Sequence, residues 1–136
     1  MIKKINHIAV AVKDLEETAK FYQDMLGLSL SGVEVVANQK TKAGFFKIGE
    51  SNIELVQPTE ADSPLVKFLE TKGQGIHHVC FEVDDVEAEI KALLEKGAVL
   101  VDQIPRPGAH QTRVAFIHPK SSSGVLIELC ELPKGH

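Results

Sequence analysis

With 136 residues, the chain has the length of one compact unit with a real core. Its 43% apolar and 25% charged residues are ordinary for a soluble globular protein, and a formal net charge of -4 gives no bulk attraction for nucleic acid or an anionic membrane. No apolar stretch approaches the roughly 20 residues of a membrane-spanning helix, and two widely separated cysteines make no disulfide framework, so a cytoplasmic protein that binds neither nucleic acid nor membrane is expected.

The opening "MIKKINHIAVAV" runs directly into period-2 alternation, without the long apolar core and cleavage site of a secretory signal. From Leu15 the period changes. Leu15, Thr18, Ala19, Tyr22, Met25 and Leu26 recur at helical spacing, Asp14 and Glu17 stand in capping-box positions, and Gly27 suits the residue that closes a helix. Three β-rich runs follow, "LSLSGVEVV", "TKAGFFKIG" and "NIELVQP". "DSPLVKFLETKG" predicts a short helix with Ser63 as N-cap, Pro64 in its first position and Gly73 beyond its end. The strand "HVCFEV" then leads from His78 into a second amphipathic helix, marked by Val86, Ile90, Leu93 and Leu94 and closed by Gly97. Three more β-rich runs, "AVLVDQI", "RVAFIHP" and "VLIELCEL", complete the chain, and the final "KGH" has the look of an expression-tag remnant.

The order strand, helix, strand, strand, strand therefore occurs twice, with a histidine opening the first strand of each copy. Alternation sorts the faces. Ile8, Val10 and Val12 form the helix-packing face of the first copy, and His7 points away with Ala9 and Ala11. In the second copy His77 shares the helix-packing face with Val79, Phe81 and Val83, whereas His78 points away. His78 is thus the equivalent of His7, and His77 is a bystander. In the closing strands Glu54 alternates with Ile53 and Leu55, and Glu128 alternates with Ile127 and Leu129, which sends both glutamates to the face of the two histidines. A mid-strand carboxylate among apolar residues is costly unless a cation meets it. Two imidazoles and two carboxylates suit a divalent metal, and cobalt, manganese, nickel, iron or zinc all accept such a set.

These residues carry a resemblance to the vicinal-oxygen-chelate superfamily and, more narrowly, to the methylmalonyl-CoA epimerase family. It extends over nearly the whole chain, in "HIAVAVKDLEETAKFYQDMLGL", "IELVQPTEADSPLVKFLETKGQGIHHVCFEVDD", "IPRPGA" and "RVAFIHPKSSSGVLIELCE". The resemblance implies one α+β domain over residues 1–136, in which two tandem βαβββ modules form a curved, cup-shaped, eight-stranded mixed sheet with the helices outside. Module one covers residues 1–60, a connecting helix 62–73 and module two 75–132. Metal ligands are implied at His7, Glu54, His78 and Glu128. The implied chemistry is inversion at C2 of methylmalonyl-CoA through an enolate, in a homodimer with each site built inside one chain. Inversion needs a base on one side of the planar intermediate and an acid on the other. Glu128 is the catalytic candidate. Some family members carry a second glutamate where this chain has Ala43, so the opposite partner is unassigned.

Coenzyme A and the malonyl carboxylate are anionic, which directs attention to Lys40, Lys42, Arg106, Arg113 and Lys120. Arg113 and Lys120 are singled out because their segment carries the resemblance, and Gln39 is added as a further contact. His110 and His118 are read as loop residues, and Cys80 and Cys130 as small packing residues of the inner face. Two other functions fit the same fold: a glyoxalase I-type lyase acting on a glutathione hemithioacetal, and a non-enzymatic small-molecule binding module. An iron-dependent dioxygenase using His7, His78 and Glu128 is disfavoured, because a carboxylate at position 54 fills the position that oxygen chemistry needs open.

Overall fold

The computed structural model describes residues 1–134, so the last two residues of the expected tag remnant lie outside the described part. Contacts divide the chain into two units, His7–His77 and a second formed by Met1–Asn6 together with the chain from His78 onward.

In the unit His7–His77, β1 (Ile2–Ala11, through its second half) is followed by α1 (Leu15–Lys20), β2 (Leu30–Val36), β3 (Thr41–Ile48), β4 (Ser51–Pro58) and α2 (Pro64–Lys72). The strand order is β2-β3-β4-β1, antiparallel except for the parallel pair β1/β4. The alternation is as expected. Val12, Leu15, Ala19, Phe46 and Leu55 form the buried core, and Val10, Tyr22, Leu30 and Ile53 pack against it. Full burial of a side chain such as Leu15 or Phe46 contributes about 2 kcal/mol. The Asp14 carboxylate accepts the Glu17 N–H at 3.1 Å, and the Leu15 N–H reaches the Gln57 side-chain oxygen at 2.7 Å, which ties the helix start to β4. An N-cap of this kind is worth ~1 kcal/mol.

The first helix departs from its expected course. Beyond Lys20 it widens into a π turn over Phe21–Met25, where the Leu26 N–H bonds five residues back to the Phe21 carbonyl at 3.3 Å. The extra residue in this turn rotates Met25 and Leu26 out of the core, to 77% and 54% exposure, although helical spacing assigned both to it. Tyr22 stays inside, stacked on Phe46 at 5.3 Å.

The other unit holds the first half of β1, then β5 (Gly75–Val83, from His78), α3 (Val86–Glu95), β6 (Arg106–Pro107), β7 (Arg113–Ile117) and β8 (Ile127–Glu131). Its order is β1-β5-β8-β7-β6, with β5/β8 parallel. Val83, Val86, Ile90, Ala115 and Leu129 form its core. Two carboxylates secure the start of α3: Asp85 accepts the Ala88 N–H at 3.1 Å and Glu131 accepts the Val86 N–H at 2.9 Å.

"AVLVDQI" is not the strand its composition suggested. Only Leu100 bridges to Ile117. The N–H groups of Val101 and Asp102 both point at the Phe116 carbonyl, at 2.9 and 3.3 Å, and the Asp102 carboxylate takes the Phe116 N–H at 2.9 Å. A side chain occupies a rung of the ladder, and Pro105 and Pro107 have no N–H to donate. On the edge of β7 away from β8, the strand that pairs regularly is instead the two-residue β6. No helix among the described residues is long and apolar enough to cross a membrane.

Candidate functional site

Each unit contains one histidine–glutamate pair largely withdrawn from water, and the two pairs are built alike. In the first, His7 Nδ1 lies 3.1 Å from Glu54 Oε2; in the second, His78 Nε2 lies 2.9 Å from Glu128 Oε1. The construction follows from strand register. Parallel pairing of β1 with β4 sets Glu54 beside Ala9, two residues beyond His7. Parallel pairing of β5 with β8 sets Glu128 beside Cys80, two residues beyond His78. The intervening residue is small and fully buried in both units, which leaves the long glutamate room to lean back to the imidazole.

The surroundings are dry. His7, His78 and Glu128 are 6%, 7% and 6% exposed. In the second unit, Cys80, Val114 and Cys130 form an apolar cluster on the same sheet face. Phe116 meets the His78 ring edge-on at 5.3 Å. An imidazole and a carboxylate held together under apolar cover can transfer a proton or ligate a divalent cation. Imidazole nitrogen and carboxylate oxygen, withdrawn from water and set beside one another, are donors that fit such an ion.

His77 takes the opposite course. It turns to the helix side, edge-on to Phe68 of α2 with ring centroids 4.8 Å apart. The adjacent histidines therefore lie on the two faces that alternation gave them.

The basic residues divide in a way the sequence did not indicate. Arg113 has the parity of the helix-facing Ala115 and Ile117, and its guanidinium lies 3.1 Å from Glu87 and 3.6 Å from Glu131. Glu87, and behind it Glu131, hold that guanidinium still further above its already high pKa. Arg106, which pairs with Val114 on the other face, lies over the Phe116 ring at 5.4 Å. Its Nε is buried without a hydrogen-bond partner, although Asp102 Oδ1 is 3.3 Å away in poor alignment. Among these arginines, Arg106 is the one connected through Phe116 to His78. Its signal in the sequence was weak, because the register of a two-residue strand between prolines cannot be read from alternation. Lys40 and Lys42 are engaged by Asp62 and Glu16. Gln39 sits half-buried in the turn Ala37–Gln39, where its carbonyl accepts the Thr41 hydroxyl at 3.0 Å. Lys120 is exposed in the turn after β7, its N–H bonded to His118 Nδ1 at 2.9 Å.

The chain is similar to known proteins along nearly its whole length. The family model of the Glyoxalase/Bleomycin resistance protein/Dioxygenase superfamily matches residues 6–116. The uncharacterized protein YqjC of Bacillus subtilis is 41% identical over 134 residues, 98% of this chain and 95% of that protein. The mitochondrial methylmalonyl-CoA epimerase of Mus musculus is 40% identical over 127 residues, 93% of this chain and 71% of that protein. A solved structure of methylmalonyl-CoA epimerase in complex with methylmalonyl-CoA and NH4+ superposes with a TM-score of 0.94 at 34% identity, covering 98% of this chain and 97% of the other. On the family model, the length of these matches and the doubled histidine–glutamate module, the chain belongs to the glyoxalase/bleomycin resistance protein/dioxygenase superfamily and, within it, to the methylmalonyl-CoA epimerase family of enzymes.

Proposed function

We propose that the protein inverts the configuration at C2 of methylmalonyl-CoA, using His7, Glu54, His78 and Glu128 as ligands of one divalent ion and Glu128 as an acid/base. The observation that carries this reading is the recurrence of the same histidine–glutamate register in both units of an epimerase-family chain. The C2 proton of the substrate lies between a thioester carbonyl and a carboxylate, so its removal leaves charge that spreads onto the thioester oxygen. A divalent ion bound by the four ligands supplies Lewis-acid stabilisation of that charge.

The chain's own residues do the rest. Glu128 takes the proton from C2 and can return it. His78 and the Phe116 ring packed against it hold that carboxylate in place and exclude water from its surroundings. Arg106 supplies a positive charge on the same face, directed at the anionic substrate, while Lys120 and Gln39 serve as outer contacts for coenzyme A. Arg113 is committed to Glu87 and Glu131. Consequently Arg106→Ala is expected to raise KM about tenfold with kcat little changed, the value of one charge-assisted contact of ~1.5 kcal/mol. Arg113→Ala should leave KM within about twofold, and steady-state kinetics of both variants checks the contrast.

The deciding assay starts from a single epimer of methylmalonyl-CoA in deuterated water, with the glutathione–methylglyoxal hemithioacetal as a parallel substrate. Appearance of the other epimer with deuterium at C2 is the expected result. Turnover of the hemithioacetal alone would replace this function with a glyoxalase I-type lyase.

A further inference from the structure

We infer that Asp102 is a positioning residue, which sets the Arg106 guanidinium as a receptor for an anionic group of the substrate. This rests on the epimerase function proposed above, and it lies wholly within the unit that contains β5 to β8.

Arg106 pairs with Val114 of β7, and Phe116, two residues further along β7, pairs with Glu128 of β8. Residues directly opposite one another across strands share a face. Arg106, Val114, Phe116 and Glu128 therefore stand on one side of the sheet. The guanidinium carbon lies over the Phe116 ring at 5.4 Å, and that ring meets His78 edge-on at 5.3 Å. One aromatic ring separates Arg106 from the histidine–glutamate pair of its own unit.

The backbone of Arg106 is firmly held. Pro105 and Pro107 flank it with fixed φ. The turn beyond is closed by the Gly108 N–H on the Thr112 carbonyl at 3.0 Å. A Cβ on Gly108 would stand 2.7 Å from both Thr112 Oγ1 and Val114 Cγ1, so the turn is packed down on β7. What needs ordering is the long side chain, and ordering it only on binding weakens affinity. Phe116 takes one side of the guanidinium, and Asp102 Oδ1 stands 3.3 Å from Nε. That Nε is buried without an aligned acceptor, and a small rotation beside the carboxylate gives it a charge-assisted bond. Asp102 and Phe116 then leave the two terminal nitrogens to a carboxylate or phosphate, the fork that such anions fit.

The irregular segment before β6 supplies a second observation. Asp102 is a poor strand former among good ones, and its Oδ2 accepts the Phe116 N–H at 2.9 Å. A backbone carbonyl ordinarily takes such a ladder N–H. One carboxylate thus grips the backbone of the residue whose ring underlies Arg106, and faces Arg106 with its other oxygen. A local rule broken in this way is expected where function has overridden stability.

The test uses the full chain loaded with cobalt, the variants Asp102→Asn and Arg106→Ala, and the double variant. Methylmalonyl-CoA is the substrate and free coenzyme A the inhibitor. In Asp102→Asn the amide oxygen can still take the Phe116 N–H, but its NH2 group then faces Nε, donor against donor. KM should rise about three- to tenfold with kcat within about twofold. In the Arg106→Ala background the same change should add less than about twofold, because Asp102 acts through Arg106. Loss of folded protein lowers kcat and leaves KM, so the split separates positioning from a structural role. Coenzyme A carries phosphates but no carboxylate, and its inhibition names the anion. Inhibition that weakens in step with KM assigns a phosphate, inhibition that stays unchanged assigns the malonyl carboxylate, and both accord with the proposal. Wild-type KM in Asp102→Asn, a fall in kcat alone, or full additivity in the double variant overturns it. A wild-type protein that inverts neither epimer overturns the epimerase function, and the proposal with it.

Discussion

Substitution of His78 by alanine is expected to reduce divalent-metal affinity by more than about 100-fold and to abolish inversion, whereas His77→Ala keeps both near wild type. An outer-shell partner of a metal ligand is worth 10–100-fold, and loss of a ligand exceeds that. The contrast between neighbours is the informative part. His78 is buried against Glu128 and Phe116, while His77 rests on Phe68 of α2, so His77→Ala costs only packing. Metal content by elemental analysis, measured beside inversion rates, checks it. Equal metal loss in the two variants would contradict the face assignment, since a one-residue change of register exchanges the faces.

Glu128→Gln carries the second large effect. Loss of a positioned acid/base lowers rates by about 10²–10⁴. The amide keeps an oxygen that can ligate but cannot take a proton from C2. Added cobalt or manganese should therefore leave this variant inactive, whereas chelated wild type regains activity with the same metals. Chelation should leave circular dichroism nearly unchanged, because each unit holds an apolar core of its own. Collapse of the spectrum on chelation would make the metal structural. Full activity of Glu128→Gln would leave C2 without its named base.

Much of this was legible in the sequence, for local reasons. Capping carboxylates at Asp14 and Asp85 act within three residues, and period-2 alternation fixes a face wherever apolar and polar residues strictly take turns. His7, Glu54, His78 and Glu128 were found that way, and their repetition compensated for the weakness of each alone. What escaped were departures from period. One additional residue in the π turn moved Met25 and Leu26 into solvent without changing any composition signal. The Asp102 carboxylate displaced a ladder bond in a segment rich in β-formers.

The parallel pairs also have a kinetic side. Each histidine meets its glutamate across nearly fifty positions of sequence, and only after the last strand of its unit has docked beside the first. Contacts of such long range close late, since the loop entropy is lost before they return anything. The strand that delivers the carboxylate is therefore the latch of its module. Whatever grips these pairs meets a chain that is already folded, and its stabilisation is expected as slower unfolding, with the folding rate left as it was.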